Sequence, residues 1–123
     1  MTREEAERFA ADWAEAWNAR AVERVLEHFH ADVEFTSPTA LAVTGAATVH
    51  GKDALRAYWT KALERIGALR FTVERVLWDP ERRELAIVYT SDIDGKAKRV
   101  SENLTFDGEG RVASAEVFHG VTA

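Results

Sequence analysis

Apolar positions recur at helical spacing near the start of the chain: Phe9, Trp13 and Trp17 fall four apart, with Ala10, Ala14 and Ala16 between them. Arg3, Glu7, Arg8 and Glu15 take the opposite side, so the segment predicts an amphipathic helix with an aromatic inner stripe. Thr2 and Glu5 stand in front of it at capping-box spacing, where each side chain satisfies the other residue's backbone N–H. Asn18 marks the end. Val22, Leu26 and Phe29 predict a short second helix, with Glu23, Arg24 and Glu27 outward. Val33 to Ser37 alternates and predicts a strand closed by Pro38, which lacks a ladder donor. Thr39 to His50 has no steady period and reads as a long loop, of the kind that often forms a lid or binding element. Gly51, Lys52 and Asp53 open a third helix whose inner stripe is Leu55, Tyr58, Trp59, Ala62 and Ile66, with Gly67 as its stop.

Beyond Gly67 the pattern alternates. Strands are predicted over Leu69 to Trp78, Leu85 to Ile93, Ala97 to Phe106 and Arg111 to His119. The breaks between them, Asp79-Pro80, Asp94-Gly95 and Asp107 to Gly110, carry turn chemistry. Helices first and a meander of strands second make one α+β domain over residues 1–123 with an antiparallel sheet. Asp94-Gly95 predicts a type I′ hairpin and pairs Ile93 with Lys96. Glu102 then lies opposite Ile87, Val100 opposite Tyr89, and Leu104 opposite Leu85. That shared face is apolar except for Lys98 near the tip and Glu102 in its middle. A four-residue loop pairs Phe106 with Arg111, placing Ala115 opposite Glu102, Val117 opposite Val100, and His119 opposite Lys98. Ala113, Ala115, Val117 and His119 then face inward, while Val112, Ser114, Glu116 and Phe118 face outward. In this register His119 is about 13 Å from Glu102, a distance that a bulge would change.

Composition narrows the chemistry. With 123 residues, 46% hydrophobic and 10% aromatic, the chain can bury a core unaided. It has no cysteine, which excludes disulfides, thiolate metal sites and cysteine nucleophiles. Acidic residues outnumber basic ones by 21 to 16, for a net charge of -5, against the usual balance of a nucleic-acid partner. No stretch approaches membrane-spanning length, and the charged opening (Arg3, Glu4, Glu5) is unlike a signal peptide, so the expected location is the cytoplasm. His28 and His30 make a poor metal pair, and no His-Glu-x-x-His spacing, phosphate loop or nucleotide fingerprint is present. Neither a metal nor a cofactor is expected.

Glu102 is the first candidate, because a carboxyl on an apolar face is either a desolvated acid with a raised pKa or a pocket-mouth residue paired with Lys98. His119 is the second, as a base or a ligand-orienting donor, or else a solvated residue near the chain end. Trp13, Trp17, Tyr58 and Trp59 suggest an aromatic wall, or ordinary core. Tyr89, diagonal to Glu102, is its candidate hydrogen-bond partner. Phe35, Ser37, Val100 and Val117 complete the candidate ligand-binding set.

Several segments together resemble the nuclear transport factor two-like superfamily, in its SnoaL-like and ketosteroid isomerase-like branch. They are Trp13-Ala-Glu-Ala-Trp17-Asn18, Asp32-Val-Glu-Phe before Pro38, Gly51-Lys-Asp-Ala-Leu-Arg-Ala-Tyr-Trp59, and Leu104-Thr-Phe-Asp-Gly-Glu-Gly-Arg-Val112 with Phe118-His-Gly120. The resemblance implies a cone-shaped, strongly curved sheet packed against three helices of the N-terminal half, an apolar pocket, and a homodimer formed through the outer sheet face. It also implies three roles on the isomerase route. The base position before the strand-closing proline falls on Ser37, which cannot act as that base. The first-helix tyrosine donor falls on Trp13, and the protonated aspartate donor on Glu102. The polyketide cyclases of the branch use His and carboxylate groups, the residue types of His119 and Glu102.

Two functions stay open at this point. One is an acid–base isomerase, dehydratase or cyclase acting on a small hydrophobic carbonyl or polycyclic substrate, with Glu102 as proton donor. The other is a non-catalytic ligand-binding or dimerisation module.

Overall fold

A computed structural model describes residues 1–122. Helix α1 spans Arg3–Asn18, and its start carries the expected capping box: the Glu5 N–H donates to Thr2 Oγ1 at 3.1 Å and the Thr2 N–H to Glu5 Oε1 at 2.9 Å. Its buried stripe is Ala6, Ala10, Trp13, Ala14, Ala16 and Trp17. Asn18 does more than end the helix. Its side-chain amide receives the Phe71 N–H at 2.7 Å and donates to the Phe71 carbonyl at 3.0 Å, pairing with that backbone as a strand would.

The short helix α2 covers only Val22–Leu26, and strand β1 already begins at Phe29, running Phe29–Thr36. Phe29 is therefore a fully buried strand residue and not the last turn of a helix. Its i+3 spacing from Leu26 mimics a helical period, and burial in the sheet decides against it.

The expected loop over Thr39 to His50 is instead mostly ordered structure: helix α3, Pro38–Thr44, and strand β2, Thr48–His50. The signals were present. Ser37 caps α3 by accepting the Thr39 N–H at 3.1 Å, Pro38 takes the first turn, and Gly45 ends the helix at φ +84°. Helix α4, Lys52–Glu64, follows as predicted, so α3 adds a fourth helix to the expected three. Arg20 seals the end of α4, donating to the carbonyls of Leu63, Ile66 and Gly67 at 3.1, 3.1 and 2.6 Å.

The remaining strands are β3 Leu69–Asp79, β4 Glu84–Ile93, β5 Lys96–Phe106 and β6 Val112–Thr122. The sheet order is β2-β1-β6-β5-β4-β3, antiparallel except where β1 runs parallel to β6. The mixed α+β architecture is the one expected. Asp94 and Gly95 take φ +54° and +85°, and the β4–β5 register is the predicted one, with Glu102 opposite Ile87 and Val100 opposite Tyr89.

The β5–β6 register is not. A bulge between Thr105 and Phe106 pairs Phe106 with Val112, which turns Val112 inward to full burial and slides the rest of the strand. Glu102 now faces Val117, Leu104 faces Ala115, and Val100 faces His119. A second irregularity between Lys98 and Val100 falls at Gly120, where an added Cβ would stand 2.9 Å from the Arg99 carbonyl oxygen. His119 thus moves two rungs closer to Glu102, to about 7 Å along the strand direction. Among the described residues, no helix is long and apolar enough to cross a membrane.

Candidate functional site

The inner sheet face, α4 and the end of α1 line a half-open cavity of about 120 Å³. A cavity of about 150 Å³ accommodates benzene, so the space is on the scale of one small ring. Trp17, Phe35, Tyr58 and Trp59 form the wall on the helix side. The rings interlock: Trp59 meets Trp17, Phe29 and Phe35 edge-on, with centroids 4.8, 5.5 and 5.4 Å apart. Val100 and Val117 line the sheet side beside Glu102 and Tyr89.

Glu102 reaches the cavity because strand parity points it inward, between Ile87 and Val117 on the neighbouring strands. It is 5% exposed. Tyr89 donates its hydroxyl to Oε1 at 3.3 Å. The Trp13 indole N–H lies near enough to favour the ionised carboxyl, yet makes no hydrogen bond. Burial outweighs both neighbours and pushes the Glu102 pKa up to about 7. Burial also raises Tyr58 to about 12 and Tyr89 well above its ordinary value, and the charge of Glu102 adds to both. Both phenols are therefore hydrogen-bond donors at neutral pH.

The other expected residues sort by position. Nine of them line the cavity, and Trp13 does not. It lies one layer behind the wall, stacked on Phe71 at 5.6 Å and edge-on to Tyr89 at 4.9 Å. Ser37, 4% exposed, has its oxygen committed to the Thr39 N–H, and its hydroxyl favours the ionised form of Tyr58. A capping task accounts for a serine at this position.

His119 and Lys98, set opposite each other in the predicted register, form a unit even though His119 now lies opposite Val100. Lys98 Nζ stands 3.1 Å from His119 Nδ1. Burial, and then the Lys98 charge, lower the His119 pKa, so the ring is neutral at neutral pH. An ammonium has only donors, so Nδ1 is the acceptor and the ring proton sits on Nε2. Lys98 is therefore not the partner of Glu102, and both charged residues face the cavity. Alternation had put Lys98 on this face. Ser91, opposite Lys98 on β4 and 3% exposed, also lines this end.

No curated protein matches the chain. Among solved structures it is similar to a SnoaL-like protein of unknown function from Burkholderia thailandensis, with 28% identity, TM-score 0.87, and 98% of each chain covered. It shares a fold with a candidate ketosteroid isomerase from Kribbella flavida, at 18% identity and TM-score 0.75, covering 97% of this chain and 80% of that one. An NTF2-like protein of unknown function from Cytophaga hutchinsonii aligns at 12% identity and TM-score 0.69, covering 98% and 91%. The family model for the SnoaL-like domain matches residues 10–120. The chain belongs to the SnoaL-like domain family, and it shares its fold with NTF2-like proteins.

Proposed function

We propose that this chain is a single-domain, cytoplasmic acid–base enzyme acting on a small hydrophobic carbonyl compound, with Glu102 as its proton-transferring group. The observation that carries the reading is one buried carboxyl, facing a ring-sized apolar cavity, with a pKa near the pH at which it would work. At that pH both its acid and its carboxylate forms are populated. The acid gives a proton to the substrate, and the carboxylate left behind takes back the proton the substrate releases. Isomerisation, dehydration and cyclisation each contain such a pair of transfers. Tyr89 orients the carboxyl, and Tyr58 supplies a second phenol. A base role for His119 would require Lys98 to leave Nδ1.

The test is exchange of the α-protons of small cyclic ketones in heavy water, followed by NMR. Wild type should catalyse it, and Glu102→Gln, folded by circular dichroism, should not. Exchange that persists in Glu102→Gln would sink the reading.

The second reading, a non-catalytic binding or dimerisation module, is favoured by two observations. Ser37 is committed as a helix cap at the position of the isomerase base, and Phe118 is 55% exposed on the outer sheet face. Homodimerisation through that face is compatible with either reading.

A further inference from the structure

The cavity has two chemically different ends. Glu102 and Lys98 lie four residues apart on the inner face of β5, about 13 Å of strand, with Val100 between them. At the Glu102 end stand an acid and two protonated phenols. At the Lys98 end stand an ammonium, the Nε2–H of a neutral imidazole, and the hydroxyl of buried Ser91. The Lys98 ammonium gives one proton to His119 Nδ1 and keeps two donors. Among the described residues, no carboxylate lies within salt-bridge distance of it. The contrast with the surface is direct, since Arg24, Arg56 and Arg99 each pair with acidic residues.

A half-buried cation with no anionic partner among the described residues, beside two further donors on an apolar cavity, is complementary to a planar anion. We propose that the cavity takes a single-ring-sized compound carrying a carboxylate, which is held by Lys98, His119 and Ser91 while the ring lies over Val100 toward Glu102. This rests on the acid–base reading only in naming that enzyme's substrate class. The binding claim stands or falls separately. The volume matches one small ring, and the apolar walls favour a ring over a hydrated inorganic ion.

The probes are benzoate and its neutral isostere benzamide, titrated against the fluorescence of Trp17 and Trp59, which line the cavity. Wild type should bind benzoate about tenfold more tightly than benzamide, or better, as one charge-assisted contact predicts. Lys98→Met should erase that preference by weakening benzoate binding far more than benzamide binding, and Lys98→Arg should restore most of it. Glu102→Gln should keep the preference even where it abolishes proton exchange, which separates failure of this proposal from failure of the enzyme reading. Equal affinity for the two probes in wild type would overturn the proposal. So would a preference that survives Lys98→Met, absence of saturable benzoate binding, or displacement of benzoate by an equal concentration of inorganic phosphate.

Discussion

Two glutamates on this sheet began with the same side chain and ended with opposite chemistry. Glu102 faces inward on β5, 5% exposed, with a tyrosine as its hydrogen-bond donor and no cation, and burial raises its pKa to about 7. Glu74 lies at the irregularity in β3 and takes both arms of Arg99 at 2.7 and 2.8 Å. The Arg99 hydrogen bonds hold its pKa below the ordinary value. Arg99 and Glu102 share one strand at opposite parity, so their side chains emerge on opposite faces. The side of the sheet, more than the residue type, decides whether a carboxylate becomes an ordinary ion-pair partner or a reactive acid.

Glu102→Gln should sharpen that contrast most. Proton exchange should fall by about 10²–10⁴-fold, the usual contribution of a positioned acid–base group. Stability should move the other way. The carboxyl ionises near 4.5 in the unfolded chain and about 7 in the fold, so its contribution to stability is complete below 4.5 and is lost as pH rises to about 7. The variant should therefore be more stable than wild type above pH 7, by up to roughly 3 kcal/mol, and show no difference of this origin below pH 4.5. Urea titrations at pH 4 and pH 8 check it. Equal stability of the two proteins at pH 8 would mean that Glu102 is solvated, and the comparison with Glu74 would collapse.

The outer face offers the next break. Phe118 lies opposite Ser101 there, next to Glu116 and Asn103. If copies of the chain associate through this surface, Phe118→Asp should convert a dimer to a monomer in light scattering at micromolar concentration, and leave benzoate affinity at the inner face unchanged. A wild-type mass that is already monomeric would remove the outer face from the functional account.

Asn18→Ala tests how firmly α1 is tied to the edge strand. It strands the N–H and carbonyl of Phe71, whose ring stacks on Trp13 behind Glu102. Thermal unfolding should report a loss of about 1–3 kcal/mol. The Glu102 pKa should also fall as water reaches the carboxyl.

Much of this was legible from alternation and turn chemistry. The type I′ turn at Asp94-Gly95 fixed the β4–β5 register, and with it the inward aim of Glu102 and the place of Tyr89 beside it. Alternation also put Val100 and Val117 on the face that lines the cavity. The slip in β6 was not legible, because a net shift of two residues leaves Ala115, Val117 and His119 on the same face while it moves His119 two rungs. Helix α3 was missed because Ala40, Leu41, Ala42 and Val43 show no amphipathic period, although Ser37-Pro38 and Gly45 were its start and stop signals. Alternation put Lys98 on the inner face with His119 opposite it, and the two side chains do meet, although the slip sets His119 opposite Val100.

The smallest effect should come from Glu74→Gln, and its smallness is the point. The pair with Arg99 has good bidentate geometry, but Arg99 is 63% exposed in its side chain and Glu74 30%. Solvent and salt screen such a pair, so the loss should be far smaller than the effects above and shrink further at high ionic strength. The sign with pH is opposite to that of Glu102. A carboxylate with a depressed pKa stabilises the fold above its unfolded value and loses that contribution as pH falls. Wild type and Glu74→Gln should therefore converge in acid, whereas wild type and Glu102→Gln diverge as pH rises above 4.5. Urea midpoints for both variants across pH 3–8 would display the two opposite slopes on one plot. Parallel slopes would mean that the sheet does not separate these two carboxylates into different environments.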